Sequence, residues 1–351
     1  MSEQFLGNPH FTIKDIEVSV SCPSNIALIK YWGKYANQIP ANPSISYTLN
    51  HCKTNTTMVF KADAPFEVKT FLAGKEEIQF AEKIKRYFQN IEPYLPWILK
   101  GSYTISTENT FPHSSGIASS ASGFGAIAKC LVEIEQAFTT SHQPTAINQK
   151  ASFLARLGSG SACRSLYNGL VVWGETPEVE GSSDLFAVPY PNDDIHPIFK
   201  NFNDWVLLIH EGQKSVSSTV GHGLMNTNPY AERRFQEARD NFVPLKDILK
   251  SGDMARFITL VEHEALTLHA MMMMSEPAFI LMKTGTMEVI NKVWNFRNET
   301  GLPLFFTLDA GANVHLLFPN NGEEDQIKSF IESELLQHTQ KGGVVKDEMK
   351  F

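Results

Sequence analysis

The chain has 351 residues, 42% hydrophobic and 19% charged, with a formal net charge of -8. This is ordinary globular composition with room for one large domain or two medium ones. No apolar run reaches the roughly 18 residues of a membrane span, and the acidic balance argues against nonspecific nucleic-acid binding, which needs a basic surface. It does not exclude an anionic substrate, because an acidic protein can hold phosphate in a locally positive cleft. The opening MSEQFLGNPHF has no basic region followed by an apolar one, so no secretory signal is expected and a cytoplasmic location is. Cys22, Cys52, Cys130 and Cys163 form no CxxC pair and no metal-like cluster, and are expected to be buried thiols in a reducing cytosol.

In chain order, residues 16–22 alternate (IEVSVSC) and 44–60 are rich in Thr, Val and Ile, both predicting strands. A helix is predicted over 81–91 and a strand over 102–107. A small-residue stretch, PHSSGIASSASGFG, covers 112–125, with a helix over 118–138 and another over 145–157. GSGSACRS follows at 158–165, then a strand at 169–174. Residues 176–194, rich in Pro, Gly, Ser and acidic side chains, are the best boundary candidate, or a long loop. The division predicted there is 1–190 and 191–351. Beyond it come a strand at 205–210, long helical segments at 229–251, 254–274 and 277–300, strands at 304–308 and 313–318, and a helix over 323–338. Helices after strands in each half predict an α+β protein of two lobes.

Four segments carry chemistry. The first is the loop 112–125: its glycines let the backbone approach a ligand, and the helix after it opens with free N–H groups that favour phosphate. Ser119 and Ser120 add hydroxyls; the same composition also suits a flexible turn with an N-cap serine. Neither a Walker loop nor a GxGxxG fingerprint occurs. In the second, GSGSACR, alternating Gly and Ser followed by Arg164 suit an anion nest beneath a guanidinium, or a helix cap with a surface arginine. The third is NIALIKYWGK, whose Lys30 lies among apolar and aromatic neighbours and either snorkels or pairs with an anion. In the fourth, TLDAGAN, Asp309 ends an apolar strand before a Gly turn and can be read as a turn former. His263-Glu264 with His269 misses the HExxH spacing, since position 267 is Thr267, so no metal is expected there. Met271–Met274 reads as helix core. Residues 214–219, KSVSST, read as a capping segment that could add phosphate donors.

Together and in this order, these segments resemble the mevalonate diphosphate decarboxylases of the GHMP kinase superfamily. NIALIKYWGK resembles NIAxxKYWGK, PHSSGIASSASG resembles P-x3-G-[LI]-x-S-S-A, GSGSACRSLYNG resembles GSGSACRSLxGG, KSVSST resembles KxVSST, and TLDAGANV resembles TxDAGPNA. The likeness spans about residues 18–318. It implies a two-lobed GHMP kinase fold, with an N-terminal lobe like ribosomal protein S5 domain 2 and a ferredoxin-like C-terminal lobe, the active site between them, and a homodimer. It implies ATP-dependent decarboxylation of mevalonate 5-diphosphate to isopentenyl diphosphate, with ATP and Mg2+.

The resemblance also implies roles. Asp309 would sit beside the substrate's tertiary hydroxyl, with Lys30 near it. Arg164 would hold the departing carboxylate. Ser159, Ser161 and Tyr31 would bind the substrate phosphates, and Lys83 stands where many members carry an arginine for the diphosphate. Pro112, Ser115, Gly116, Ser119, Ser120, Ser217 and Ser218 would serve ATP, with Ser120 a magnesium ligand. The chain departs from the pattern at His113, Ser114 and Ser115 in the phosphate loop, at Ala312 in place of Pro, and at His222 where KxVSSTxGM has Met. Alternatives are decarboxylation of mevalonate 5-phosphate, a mevalonate kinase without decarboxylation, and a silent nucleotide-binding regulator. The kinases lack the Asp–Lys pair, whereas Lys30 and Asp309 are both present.

Overall fold

The computed structural model describes residues 3–112, 117–139, 144–210, 212 and 216–350. The N-terminal part runs β1 (Ile16–Ile29), β2 (Ser44–Ala62), β3 (Glu67–Leu72), β4 (Lys75–Glu76), α1 (Ile78–Ile91), β5 (Gly101–Asn109), α2 (Ser119–Phe138), α3 (Pro144–Gly158), β6 (Leu170–Trp173) and β7 (Ala187–Pro189). The C-terminal part continues β8 (Asn201–Leu207), α4 (Ser218–Leu224), α5 (Ala231–Asp240), α6 (Phe242–Ser251), α7 (Met254–Met273), α8 (Thr284–Thr300), β9 (Phe305–Thr307), β10 (Val314–Pro319), α9 (Asp325–Phe330) and β11 (Val344–Lys350). The architecture is the expected α+β fold of two lobes, with one sheet of seven strands and one of four among the described residues.

The long strand β2 organises the first sheet. It carries β1 along one edge, and on the other β5 pairs with its second half and β6 with its first. From Cys52 to Phe60 every second residue is buried, as expected where one face meets a core and the other meets water. Helix α2 lies on that core face. Gly125 permits the close approach: a Cβ there would stand 2.5 Å from Cys22 Sγ. In α1, Ala81, Ile84, Phe88 and Ile91 form the buried stripe of an amphipathic helix. All four cysteines are free and buried, as the sequence predicts.

The second sheet runs β11-β8-β10-β9, all antiparallel. A shared hydrophobic core joins the lobes: Ile26, Leu28, Tyr47 and Leu49 of the first sheet pack with Phe199, Phe202, Phe257 and Phe305 of the C-terminal part. Asp347 of β11 adds a polar clasp, its carboxylate accepting from the N–H groups of Asn50 (3.0 Å), His51 (2.9 Å) and Cys52 (2.6 Å).

Three helix predictions need correction. Residues 229–251 form two helices, because Pro244 lacks the N–H that Asp240 would receive and its ring crowds that carbonyl. The third long segment begins at Thr284 rather than 277; before it, Phe279 and Leu281 turn into a core cluster with Trp32 and Leu268. The segment 323–338 is α9, then a π turn, Ile331–Leu335, then a 3-10 turn, Leu336–His338. In the methionine run, Met271 and Met272 are core, whereas Met273 and Met274 are exposed.

Candidate active site

Between the sheets lies a cleft of about 600 Å³. Lys30, Tyr31, Lys83, Ser119, Ser120, Ser159, Ser161, Arg164, Ser217, Ser218 and Asp309 all line it. Of the other residues named from sequence, Pro112 is exposed and does not line the cleft. His113, Ser114, Ser115, Gly116 and Lys214 lie outside the described residues.

Lys30 directly follows the last residue of β1. Its N–H donates to Glu264 Oε2 (2.9 Å) and its carbonyl accepts from Asn42 Nδ2 (3.0 Å), so its main chain is fixed on both sides. The ammonium is buried, 3.3 Å from Asp309 Oδ1. Burial pulls the Lys30 pKa below the ordinary lysine value; the Asp309 charge opposes this and the Arg164 charge adds to it. Lys30 is therefore paired rather than snorkelling. Asp309 occupies the turn after β9, where Gly311 N–H donates to its carbonyl at 2.7 Å. Ala312, without the ring of a proline, is held through its carbonyl by Thr286 Oγ1 at 2.6 Å.

Arg164 sits in the 3-10 helix Gly160–Leu166 and is buried, not on the surface. Its Nε donates to Asn25 Oδ1 (3.3 Å), and Nη1 donates to Ser44 Oγ. Among the described residues no carboxylate forms an ion pair with it, although Asp309 is near enough to act through its charge. A guanidinium held by two neutral acceptors keeps its charge for a ligand. Gly160 opens this helix. A Cβ there would meet Tyr31 Oη at 2.7 Å and Trp173 at 2.8 Å, so the glycine lets the Tyr31 ring nest against the loop. Tyr31 Oη and Trp32 Nε1 are buried without a hydrogen-bond partner among the described residues. Buried polar atoms are normally satisfied, so two such donors beside the cleft suit a polar ligand.

The phosphate loop ends at Ala118, whose backbone is left-handed (φ 39°), and no side chain caps α2. Its first N–H groups remain open to an anion. Ser24 Oγ donates to the Ile117 carbonyl at 2.7 Å and anchors the approach. Ser120 and Ser159 hydroxyls stand 3.5 Å apart, so the serines of the two glycine-rich segments converge. Opposite them, Ser217 Oγ caps α4 by accepting from Val220 N–H at 3.3 Å, as the capping reading of KSVSST expects.

Sequence reasoning did not assign Trp32, Lys34, Gln38, Thr219 or His222 to the site, yet all line the cleft. Lys34 closes the KYWGK motif, the one signal that could have found it. Its Nζ donates to Gln38 Oε1 at 2.8 Å; burial and then the Lys83 charge push its pKa down. His222 lies between the rings of Tyr31 and Trp32, with centroids at 4.4 and 4.5 Å. Its Nδ1 accepts from Gly33 N–H at 3.0 Å, so the hydrogen is on Nε2. Burial, with Lys34 second, pushes its pKa down to about 3, and it is neutral at physiological pH.

Among the described residues the cleft thus gathers four cationic side chains and a set of hydroxyls, in a protein of net charge -8. Such an arrangement neutralises phosphoanions while one carboxylate, Asp309, faces the same space. Among the described residues no group of three His, Cys, Asp or Glu could hold a metal, and His263 instead pairs with Glu237 at 2.8 Å.

Residues 22–185 match a family model described as the diphosphomevalonate decarboxylase-like N-terminal domain, and residues 205–350 match the mevalonate 5-diphosphate decarboxylase C-terminal domain. The diphosphomevalonate decarboxylase of Schizosaccharomyces pombe is 30% identical over 333 residues, covering 89% of this chain and 81% of that one. The crystal structure of mevalonate diphosphate decarboxylase from Staphylococcus aureus matches with a TM-score of 0.80 at 28% identity, over 95% of this chain and 96% of that one. Another neighbour, solved in complex with MVAPP, AMPPCP and magnesium, has a TM-score of 0.79 at 27% identity over 95% and 96% of the two chains. Both domains matched in order, and a cationic cleft between them, lead to one assignment: the chain belongs to the diphosphomevalonate decarboxylase family.

Proposed function

We propose that the chain converts mevalonate 5-diphosphate and ATP into isopentenyl diphosphate, CO2, ADP and phosphate. The observation that carries this reading is the pair of buried Lys30 and part-exposed Asp309, facing the same cleft as Arg164 and the converging serines. By the family resemblance, kinases that do not decarboxylate lack the Asp–Lys pair, whereas Lys30 and Asp309 stand 3.3 Å apart here.

A tertiary hydroxyl is a poor leaving group, and phosphorylation makes it a good one. Transfer of the γ-phosphoryl group mainly requires positioning and charge neutralisation. Asp309 faces the hydroxyl and accepts its proton or hydrogen bond, with the Lys30 ammonium 3.3 Å from that carboxylate. Ser119, Ser120 and the open end of α2 hold the ATP phosphates, with Ser217 and Ser218 across the cleft. Ser159, Ser161, Tyr31 and Lys83 hold the substrate's diphosphate, and Arg164 orients its carboxylate. The new phosphate then leaves with its C–O electron pair. The C–C pair joining the carboxylate becomes the double bond, and CO2 departs. Fixed donors around both anions stabilise the charge that develops.

The donor set suits magnesium carried mainly by phosphate oxygens and water. Ser120, exposed in the cleft, is the side chain that would ligate it, and the ion would supply neutralisation of phosphate charge.

The proposal includes lobes of residues 1–190 and 191–351, supported by β7 ending at Pro189 in the first sheet and β8 opening the second at Asn201. It also includes a cytoplasmic homodimer. Four buried free thiols support a reducing compartment, and among the described residues no helix is long and apolar enough to cross a membrane. Family resemblance supports the dimer, which sedimentation tests.

The activity is tested by CO2 release with Mg-ATP from mevalonate 5-diphosphate, mevalonate 5-phosphate and mevalonate in parallel. Release from the diphosphate alone is expected. Release from the monophosphate alone moves the substrate assignment, and ADP without CO2 from any of the three overturns the reading.

A further inference from the structure

Helix α7 touches both members of the Lys30–Asp309 pair. Glu264, fully buried on α7, accepts the Lys30 N–H at 2.9 Å. Five residues on, buried His269 makes a 3.1 Å hydrogen bond from Nε2 to the Asp309 carbonyl. A carbonyl only accepts, so the proton is on Nε2. Lys30 directly follows a strand of the first sheet and Asp309 lies in a turn of the second, so neither sheet alone sets their separation. One rigid helix grips the main chain of each.

The grip is itself braced. Glu264 receives Arg234 Nη1 at 3.2 Å on Oε1 and Arg234 Nη2 on Oε2, and Asn241 Nδ2 donates to Oε1 at 2.6 Å. A carboxylate saturated in this way has one orientation, which fixes where the Lys30 N–H must lie. His263, Glu264 and His269 fail as a metal site because the two histidines diverge. That same divergence lets Glu264 and His269 reach two different partners.

We infer that α7 is the positioning element of the reacting pair, with Glu264 setting Lys30 and His269 setting Asp309. This rests on the reading that Lys30 and Asp309 face the reacting hydroxyl. Neither Glu264 nor His269 lines the cleft, so their effect runs through geometry. A misplacement of about 1 Å can cost on the order of 10²-fold in rate.

The test compares His269→Phe, His269→Gln and His269→Asn in the full-length enzyme. Gln places an N–H near the Nε2 position and Asn does not reach it. The Phe and Asn variants should lose roughly 10- to 100-fold in kcat, with both KM values within about twofold, and Gln should recover most of the loss. A second pair avoids stranding a buried charge: Glu264→Leu with Arg234→Met should lose kcat, whereas Glu264→Gln with Arg234→Met keeps an acceptor for Lys30 and should retain it. Turnover of His269→Phe within about twofold of the parent overturns the inference, as does equal loss in Gln and Asn if the Phe variant does not fold. Parallel Asp309→Asn and Lys30→Met variants separate the two claims. If these keep full turnover the functional reading fails; if they lose it while His269→Phe keeps it, only the positioning role fails.

Discussion

Lys30 Nζ lies 3.3 Å from Asp309 Oδ1, yet the ammonium side chain is 2% exposed and the carboxylate 28%. The cation is behind and the anion in front, so the cleft meets a carboxylate whose charge is held in place from the protein side. Asp309→Asn keeps the shape and removes the acceptor charge. Turnover should fall about 10²–10⁴-fold, while ATP affinity, read by titration of bound nucleotide, stays within a few-fold. An undiminished kcat would remove Asp309 from the reacting centre.

The pH dependence follows from the same burial. Lys30 has a folded pKa below the ordinary lysine value, pulled down first by burial and restored in part by Asp309. Activity that needs the ammonium should therefore fall on the alkaline side below the roughly 10.4 of a free lysine. Stability moves the other way. Between the two pKa values the unfolded chain binds more protons than the native one, so this group's contribution to stability rises with pH through that window. Lys30→Arg should shift the alkaline limb of kcat upward; an unmoved limb would assign it to another group.

Arg164→Lys keeps the charge and loses the fork. Lysine cannot donate to Asn25 and Ser44 and still hold both oxygens of a carboxylate. kcat/KM for the phosphorylated acid should drop about 10²-fold, the scale of breaking a buried charge-assisted pair, with KM for ATP unchanged. Initial rates against each substrate decide it, and a change under threefold would contradict a carboxylate-holding role.

Gly160→Ala and Gly123→Ala should have opposite effects. At Gly160 the added methyl meets Tyr31 Oη at 2.7 Å and Trp173 at 2.8 Å, whereas at Gly123, inside α2, nothing lies within 4 Å. The first should destabilise by about 1–3 kcal/mol and raise the substrate KM as Tyr31 shifts. The second should stabilise by roughly 0.5–1 kcal/mol. Urea unfolding midpoints give both signs directly.

Much of the local structure was legible because it is written in short-range patterns. Alternation at 16–22 marked β1, a strand was predicted over 102–107 where β5 lies, and two runs of glycine and serine marked the loops that converge at Ser120 and Ser159. Other elements carried little signal. β3, β4 and β11 border their sheets or alternate weakly, so few of their residues need be apolar. The sequence reading carried one helix through 229–251, although a single missing N–H, at Pro244, is enough to split it.

By itself the sequence determined which residue types are available and which loops present them: Lys30 at a strand end, Asp309 before a turn, serines at helix starts. Only the tertiary structure decided that Lys30 is paired rather than snorkelling, that Arg164 is buried between Asn25 and Ser44, and that a seemingly failed metal motif on α7 grips two main chains. The reason is range. Helix and strand periods come from neighbours a few residues apart, whereas the bonds that assemble this site join Lys30 to Glu264 across 234 positions and to Asp309 across 279. No local pattern encodes such a partner, because either side chain would look the same in its own segment with the other absent.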